Sequence, residues 1–128
     1  MIRNVFKFAI VFLAVLLAAC RTPAPVNNVT AEPLVPAPAS LADVQKVITR
    51  AGVGQGWQML PAGPGKIQGT LLIRDHKAVV DITYDLKTFN IKYKDSTNLG
   101  YDGTNIHPNY NVWIESLTRA IRSQMTLQ

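Results

Sequence analysis

This sequence has little cysteine and little charge, and each shortage excludes a class of protein. Its single cysteine, Cys20, excludes an intramolecular disulfide framework and a metal site built from several cysteines. Charged residues make up 16% of the 128 residues, with 13 basic against 8 acidic and a net charge of +5. Setting aside Arg3 and Lys7 leaves 11 basic against 8 acidic residues, or +3. So mild a charge argues against a nucleic-acid partner, which would need a strongly basic footprint.

The one long apolar run, residues 8–19, is also too short for a membrane span. It holds twelve apolar or small residues, whereas a helix needs about 20 to cross the hydrocarbon core. A short segment with Arg3, Lys7 and no acid precedes it. A positive segment followed by an apolar run of this length is typical of an export signal, so we predict a signal peptide over residues 1–19.

The end of that segment, Leu17-Ala18-Ala19-Cys20, resembles the lipobox of bacterial lipoproteins. The resemblance implies cleavage before Cys20, a diacylglyceryl group on its thiol and an acyl chain on its new amine. In Gram-negative lipoproteins an aspartate after the cysteine favours the inner membrane. Arg21 stands here instead, which implies an outer-membrane protein whose domain faces the periplasm. The alternative is an ordinary secretory signal with an incidental cysteine.

Proline is concentrated just after the cysteine. Five of the eight prolines lie between residues 21 and 39, namely Pro23, Pro25, Pro33, Pro36 and Pro38. Proline offers no backbone donor and cannot join a helix interior or a central strand. We therefore predict that residues 20–39 are the lipidated cysteine and an extended tether, reaching up to about 60 Å.

Residues 40–128 carry the patterns of a small domain. Apolar residues recur at helical spacing from Leu41 to Ala51, after Ser40 as a capping residue. A short strand near Trp57 and three alternating segments, 67–74, 78–84 and 89–94, follow, and Pro108 suits the first turn of a closing helix. The predicted fold is α+β: a two-layer sandwich, order α-β-β-β-β-α, with an antiparallel sheet of about four strands and two helices on one face.

The sequence offers no complete catalytic or metal-binding set. His76 and His107 are the only histidines and lie 31 positions apart, so a shared role would require the fold to bring them together. The loop 95–100 begins like a calcium loop, but Leu99 and Ile106 occupy positions that need oxygen donors. We predict no catalytic residue, no metal site and no cofactor beyond the acyl chains on Cys20.

Four side chains are candidates for a binding surface. Tyr93, Tyr101, His107 and Tyr110 cluster late in the sequence, and Lys92 and Lys94 flank the first of them. A basic aromatic patch of this kind suits a glycan, a lipid headgroup or a partner protein, whereas a solvated sheet edge guarded by lysines needs no ligand.

A second resemblance covers most of the predicted domain. Its clearest part is the Ile106–Ile114 segment together with Leu117, and it extends upstream through Gly56-Trp57 and His76 to Tyr84. These residues resemble small Gram-negative outer-membrane lipoproteins of uncharacterised function. The resemblance implies one compact envelope domain and supplies no catalytic residue.

The function predicted from these patterns is that of a lipid-anchored binding or scaffolding module without enzymatic activity. Its expected partners are the membrane, through the anchor, and an envelope protein or peptidoglycan. The first alternative is a small-ligand or cell-wall glycan binding domain that uses the four candidate side chains. The second is an envelope hydrolase that uses His107 or His76 with an aspartate.

Overall fold

A computed structural model describes residues 22–128, and the predicted signal peptide 1–19 and Cys20 lie outside the described residues. The elements in chain order are β1 (Ala24–Pro25), β2 (Val29–Pro33), α1 (Leu41–Gly54), β3 (Gln58–Pro61), β4 (Lys66–Ile73), β5 (His76–Tyr84), β6 (Thr88–Thr97), β7 (Asn105–Ile106) and α2 (Pro108–Met125).

Five strands form one antiparallel sheet in the order β2-β6-β5-β4-β3, and β1 pairs with β7 in a separate two-stranded ladder. The tight connections between β3, β4, β5 and β6 make these strands neighbours, as short connections favour. The predicted α+β class is confirmed, and the sheet has one strand more than the four expected.

Both helices begin where the sequence indicates. The Ser40 hydroxyl accepts a hydrogen bond from the Asp43 amide at 3.2 Å, which satisfies one of the free donors of the first turn of α1. α2 starts at Pro108, where a missing N–H costs nothing, and the His107 side chain is its N-cap.

The core lies between the two helices and one face of the sheet. On that face Ile67, Ile82 and Ile91 are paired across three strands and fully buried. Buried apolar stripes of α1 and α2 join the same cluster, among them Val47, Ile48, Leu117 and Ile121. The opposite face carries mostly polar side chains, so both helices cover the same side of the sheet, as predicted.

The structure differs from the predicted tether over residues 24–34. β2 pairs with β6 through Val29 and Ile91 and through Pro33 and Thr88, so this segment is part of the sheet. Leu34 follows with 4% of its surface exposed, and its amide donates to the Lys87 carbonyl at 2.8 Å. Prolines are tolerated here because β2 is an edge strand, where a missing donor need not face a partner.

Gly65 closes the turn between β3 and β4, at φ +67°. Its carbonyl accepts from the Tyr84 amide at 2.9 Å, which ties the turn to the end of β5. A Cβ atom at this position would lie 2.8 Å from the Tyr84 carbonyl oxygen. The glycine is therefore required both by the left-handed backbone and by this close approach.

Candidate functional site

Three tyrosines that the sequence analysis selected meet at one end of the core. Tyr93 comes from β6, Tyr101 from the loop between β6 and β7, and Tyr110 from the first turn of α2. The ring centroids of Tyr93 and Tyr101 are 4.1 Å apart, and Tyr110 meets Tyr93 edge-on at 5.7 Å. The first contact is tilted by 31° and the second is the edge-to-face arrangement that aromatic rings favour, so the cluster packs at this end of the core.

The three rings differ in what they offer to a ligand. Tyr110 is fully buried, Tyr93 is half-buried, and Tyr101 is 42% exposed. Of the four side chains predicted to form a binding surface, Tyr101 is the exposed one, and His107 is half-buried like Tyr93. Tyr93 packs against both Tyr101 and the buried Tyr110.

Two of the three phenol groups in this cluster, those of Tyr93 and Tyr110, are affected by burial. The Tyr93 hydroxyl shares a hydrogen bond of 2.7 Å with the Ser96 hydroxyl, whereas the buried Tyr110 hydroxyl has no hydrogen-bond partner among the described residues. Burial raises the pKa of both tyrosines above the usual value near 10. Tyr93 and Tyr110 therefore provide apolar surface and, through Tyr93, a hydrogen bond, but no ionised phenolate at neutral pH.

The fold does bring the two histidines together, with their ring centroids 6.5 Å apart. The two side chains also make structural hydrogen bonds. His76 Nδ1 donates to the Asn98 backbone carbonyl at 2.8 Å, and the Asn98 side-chain amide donates to the Asp75 backbone carbonyl at 2.9 Å. His107 Nδ1 accepts from the Asn109 amide at 3.1 Å, and its backbone amide donates to the Leu99 carbonyl at 2.8 Å.

These hydrogen bonds require a proton on Nδ1 of His76 and a free lone pair on Nδ1 of His107. His76 Nε2 also lies 3.6 Å from an Asp75 carboxylate oxygen. The pair therefore fastens the β4–β5 turn and the loop after β6 to the start of α2. Within residues 22–128 no group of three or more His, Cys, Asp or Glu side chains is arranged to hold a metal ion.

The lysines beside Tyr93 lie on the other face of the sheet, because neighbouring residues of a strand alternate. Asp81 stands opposite Lys92 in the ladder, with Lys66 Nζ and Lys94 Nζ at 3.8 and 3.7 Å from its carboxylate oxygens. The predicted basic aromatic patch is thus divided into a lysine-rich open face and an aromatic cluster on the helix side.

A polar cleft of about 440 Å³ lies between β2 and α2. The Arg122 guanidinium pairs with the Glu32 carboxylate across it, and Asn27, Glu115 and Arg119 line the remainder. The sequence analysis missed this cleft because it placed residues 20–39 in a tether. The outer side of α2 carries Glu115, Arg119 and Arg122, but a solvated charged face needs no partner, so this pattern did not reveal the cleft.

No protein-family model, curated protein or solved structure matches this chain. The two resemblances described from the sequence therefore remain predictions, and the function has to be argued from the residues themselves. None of the helices in the described part of the chain is both long enough and apolar enough to cross a membrane.

Proposed function

We propose that this chain is a lipid-anchored outer-membrane lipoprotein whose domain is a non-enzymatic binding or scaffolding module facing the periplasm. The observation that carries the proposal is the N-terminal pattern: a positive segment, a twelve-residue apolar run and Leu17-Ala18-Ala19-Cys20. The position of the first strand supports it. β1 begins at Ala24, so cleavage before Cys20 would leave every described element intact.

The chemistry of the anchor explains the residue types at its site. Small side chains before the cut admit a peptidase, and only the Cys20 thiol can form a thioether to diacylglycerol. Each buried methylene contributes about 0.8 kcal/mol of membrane affinity, so two or more acyl chains hold a protein stably.

The histidine and tyrosine side chains, which could take part in catalysis, support a binding role instead. His76 and His107 each use Nδ1 in a hydrogen bond that holds the loop after β6 or the start of α2. Of the three tyrosines nearby, Tyr93 is partly covered and Tyr110 is fully covered. The surfaces that stay open are the lysine-rich sheet face, the cleft between β2 and α2, and the outer edge of Tyr101.

The anchor is tested by expressing the full-length chain and its Cys20→Ala variant in a Gram-negative host. We expect the parent protein in the outer-membrane fraction, with a mass that matches loss of residues 1–19 and gain of a diacylglyceryl group and an acyl chain. The variant should lose both the mass gain and the outer-membrane location. A Cys20→Ala protein that still matures and stays membrane-bound would overturn the proposal.

The sorting step has its own matched variant. The resemblance implies that an aspartate after the cysteine retains a lipoprotein at the inner membrane, so Arg21→Asp should move the lipidated protein to the inner-membrane fraction. The acyl mass should stay unchanged, which separates sorting from lipidation.

In-cell crosslinking of the parent protein, with Cys20→Ala as control, would then identify envelope partners by mass spectrometry.

A second candidate, binding of a cell-wall glycan, is favoured by the stacked and exposed ring of Tyr101. Aromatic faces are common platforms for flat apolar surfaces of ligands. Titration of peptidoglycan fragments should then shift amide resonances at Tyr101 and His107. If no resonance near these residues moves, the glycan hypothesis fails and the scaffolding hypothesis is unaffected.

A further inference from the structure

Four parts of the chain meet at one end of the sheet. β6 ends at Thr97 beside Lys77, near the start of β5, and β4 ends at Ile73 opposite His76. Because these strands are antiparallel, the β4–β5 turn and the loop after β6 lie at the same end. The histidine pair joins this turn to the start of α2. The N-terminal strand β1 lies there too, since it pairs with β7 directly before α2. We call this region the N-terminal end of the domain.

The chain enters the fold at this end, and its point of entry is held firmly. Ala24 pairs with Ile106, and the Val26 amide donates to the Thr104 carbonyl at 3.0 Å. The Asn111 side chain donates to the Pro25 carbonyl at 2.8 Å and accepts from the Asn27 backbone amide at 2.9 Å. These contacts come from two elements, so they fix where the preceding residues leave the domain.

The proposed anchor lies very close to this point. Cys20 is four residues before Ala24, and at about 3.3–3.6 Å per residue this stretch spans under about 15 Å. The domain itself is longer, because the nine residues of β5 at about 3.4 Å each extend about 30 Å. So short a connection cannot let the domain reorient freely above a bilayer that holds Cys20.

The N-terminal end also exposes apolar side chains. Leu72 and Ile73, at the end of β4, are 61% and 38% exposed, Val112 near the start of α2 is 54% exposed, and Tyr101 is 42% exposed. Tyrosine rings favour the headgroup level of a membrane, where the apolar body and the polar hydroxyl are both accommodated. These side chains therefore suit contact with a lipid interface.

Charge by itself does not attract this end to lipid. Arg74 and Lys77 lie near the turn, but Asp75 and Asp102 lie at the same end and balance them. Contact with the bilayer thus depends on the anchor, which raises the effective concentration of the domain at the surface.

We infer that the N-terminal end of the domain rests in the interfacial layer of the bilayer that holds the anchor, with Leu72, Ile73 and Val112 at the lipid surface. This inference rests on the proposed lipid anchor. The sheet then stands upright on the membrane, and the lysine-rich face and the cleft between β2 and α2 stay open to partners. The domain is held at the surface and does not extend away from it.

The test uses the lipidated full-length protein in vesicles of phosphatidylethanolamine and phosphatidylglycerol. Cys20 is the only cysteine and is consumed by the thioether, so one introduced cysteine gives a unique site for a nitroxide label. Labels at Leu72→Cys and Val112→Cys report on the N-terminal end. Leu86→Cys is the matched control, because Leu86 lies in the β5–β6 turn at the opposite end of β5 and is 46% exposed.

We expect the labels at positions 72 and 112 to collide more often with oxygen and less often with a water-soluble nickel chelate once the protein is in vesicles. The label at position 86 should show no change. Equal water exposure of all three labels on a protein of confirmed acyl mass would overturn the inference and leave the anchor intact. Absence of the acyl mass, with no vesicle association, would instead overturn the proposed function on which the inference rests.

Discussion

Replacing Leu34 by alanine tests the segment in which the fold departs most from the sequence pattern. Leu34 follows directly after β2 and is 4% exposed, within the same core cluster as Phe89 and Ile91. If residues 20–39 were a solvated tether, the substitution would leave the free energy of unfolding unchanged. In the observed fold it removes buried methyl groups and leaves a cavity.

The magnitude follows from that burial. Leucine-to-alanine substitutions in protein cores cost about 2–5 kcal/mol. Leu34 lies beside an edge strand, where neighbours can relax into the space, so we expect the lower part of this range, about 2–3 kcal/mol. With a urea dependence of about 1.5 kcal/mol per molar, the unfolding midpoint should fall by about 1.3–2 M.

The assay is urea unfolding of the 22–128 fragment, followed by circular dichroism. Val35→Ala is the control, because Val35 is the next residue and is 68% exposed, so its replacement should change the free energy of unfolding by less than about 0.5 kcal/mol. Equal midpoints for the parent and Leu34→Ala, with equal slopes, would refute the assignment of this segment to the core. The 40–128 fragment should be less stable still, because it leaves the edge of β6 unpaired.

Three further predictions concern backbone strain, a buried hydroxyl and pH. Gly65→Ala should lower the thermal midpoint more than Gly100→Ala. The two glycines have similar φ angles, +67° and +62°, but only at Gly65 does a carbonyl oxygen lie 2.8 Å from the added Cβ. Equal losses would contradict this prediction. Tyr110→Phe should raise stability by about 1 kcal/mol in urea unfolding, since it removes an unpartnered hydroxyl, whereas Tyr93→Phe should cost about 1 kcal/mol by removing its hydrogen bond. Burial raises the pKa of Tyr110 in the folded state, so ionisation of this phenol does not affect the free energy of unfolding well below the unfolded value near 10 and lowers it as pH rises above that value. Unfolding at a series of alkaline pH values should show this decline in the parent protein and a smaller one in Tyr110→Phe, and identical profiles would argue against it.

Much of the fold could be predicted because its determinants are local. The alternation of apolar residues in β4, β5 and β6, the cap at Ser40 and the Pro108 start of α2 each depend on neighbours a few residues away. The aromatic cluster was partly predictable for the same reason, since Tyr93, Tyr101 and Tyr110 are close in sequence. Their different exposures were not, because these depend on how the loop after β6 packs against α2.

Strand alternation alone could have predicted that Lys92 and Lys94 lie on the opposite face of the sheet from Tyr93. Their arrangement around Asp81 could not, because it requires the register of β5 against β6. The same holds for the polar cleft, in which the Arg122 guanidinium meets Glu32 at a separation of 90 positions along the chain.

The sequence by itself predicted the α+β class and the order of elements from α1 to β6 and then α2, and its single cysteine excludes an intramolecular disulfide framework. The export and lipobox pattern stays a prediction. Tertiary structure alone decided the role of residues 24–34. Proline favours extended backbone in a solvated tether and in an edge strand alike, so local preference does not distinguish the two. What distinguishes them is the partner: the Asn28 side chain accepts from the Tyr93 amide 65 positions away, and the Leu34 amide donates to Lys87. Such pairings form only when the whole sheet is assembled, and they bring the domain to within four residues of Cys20.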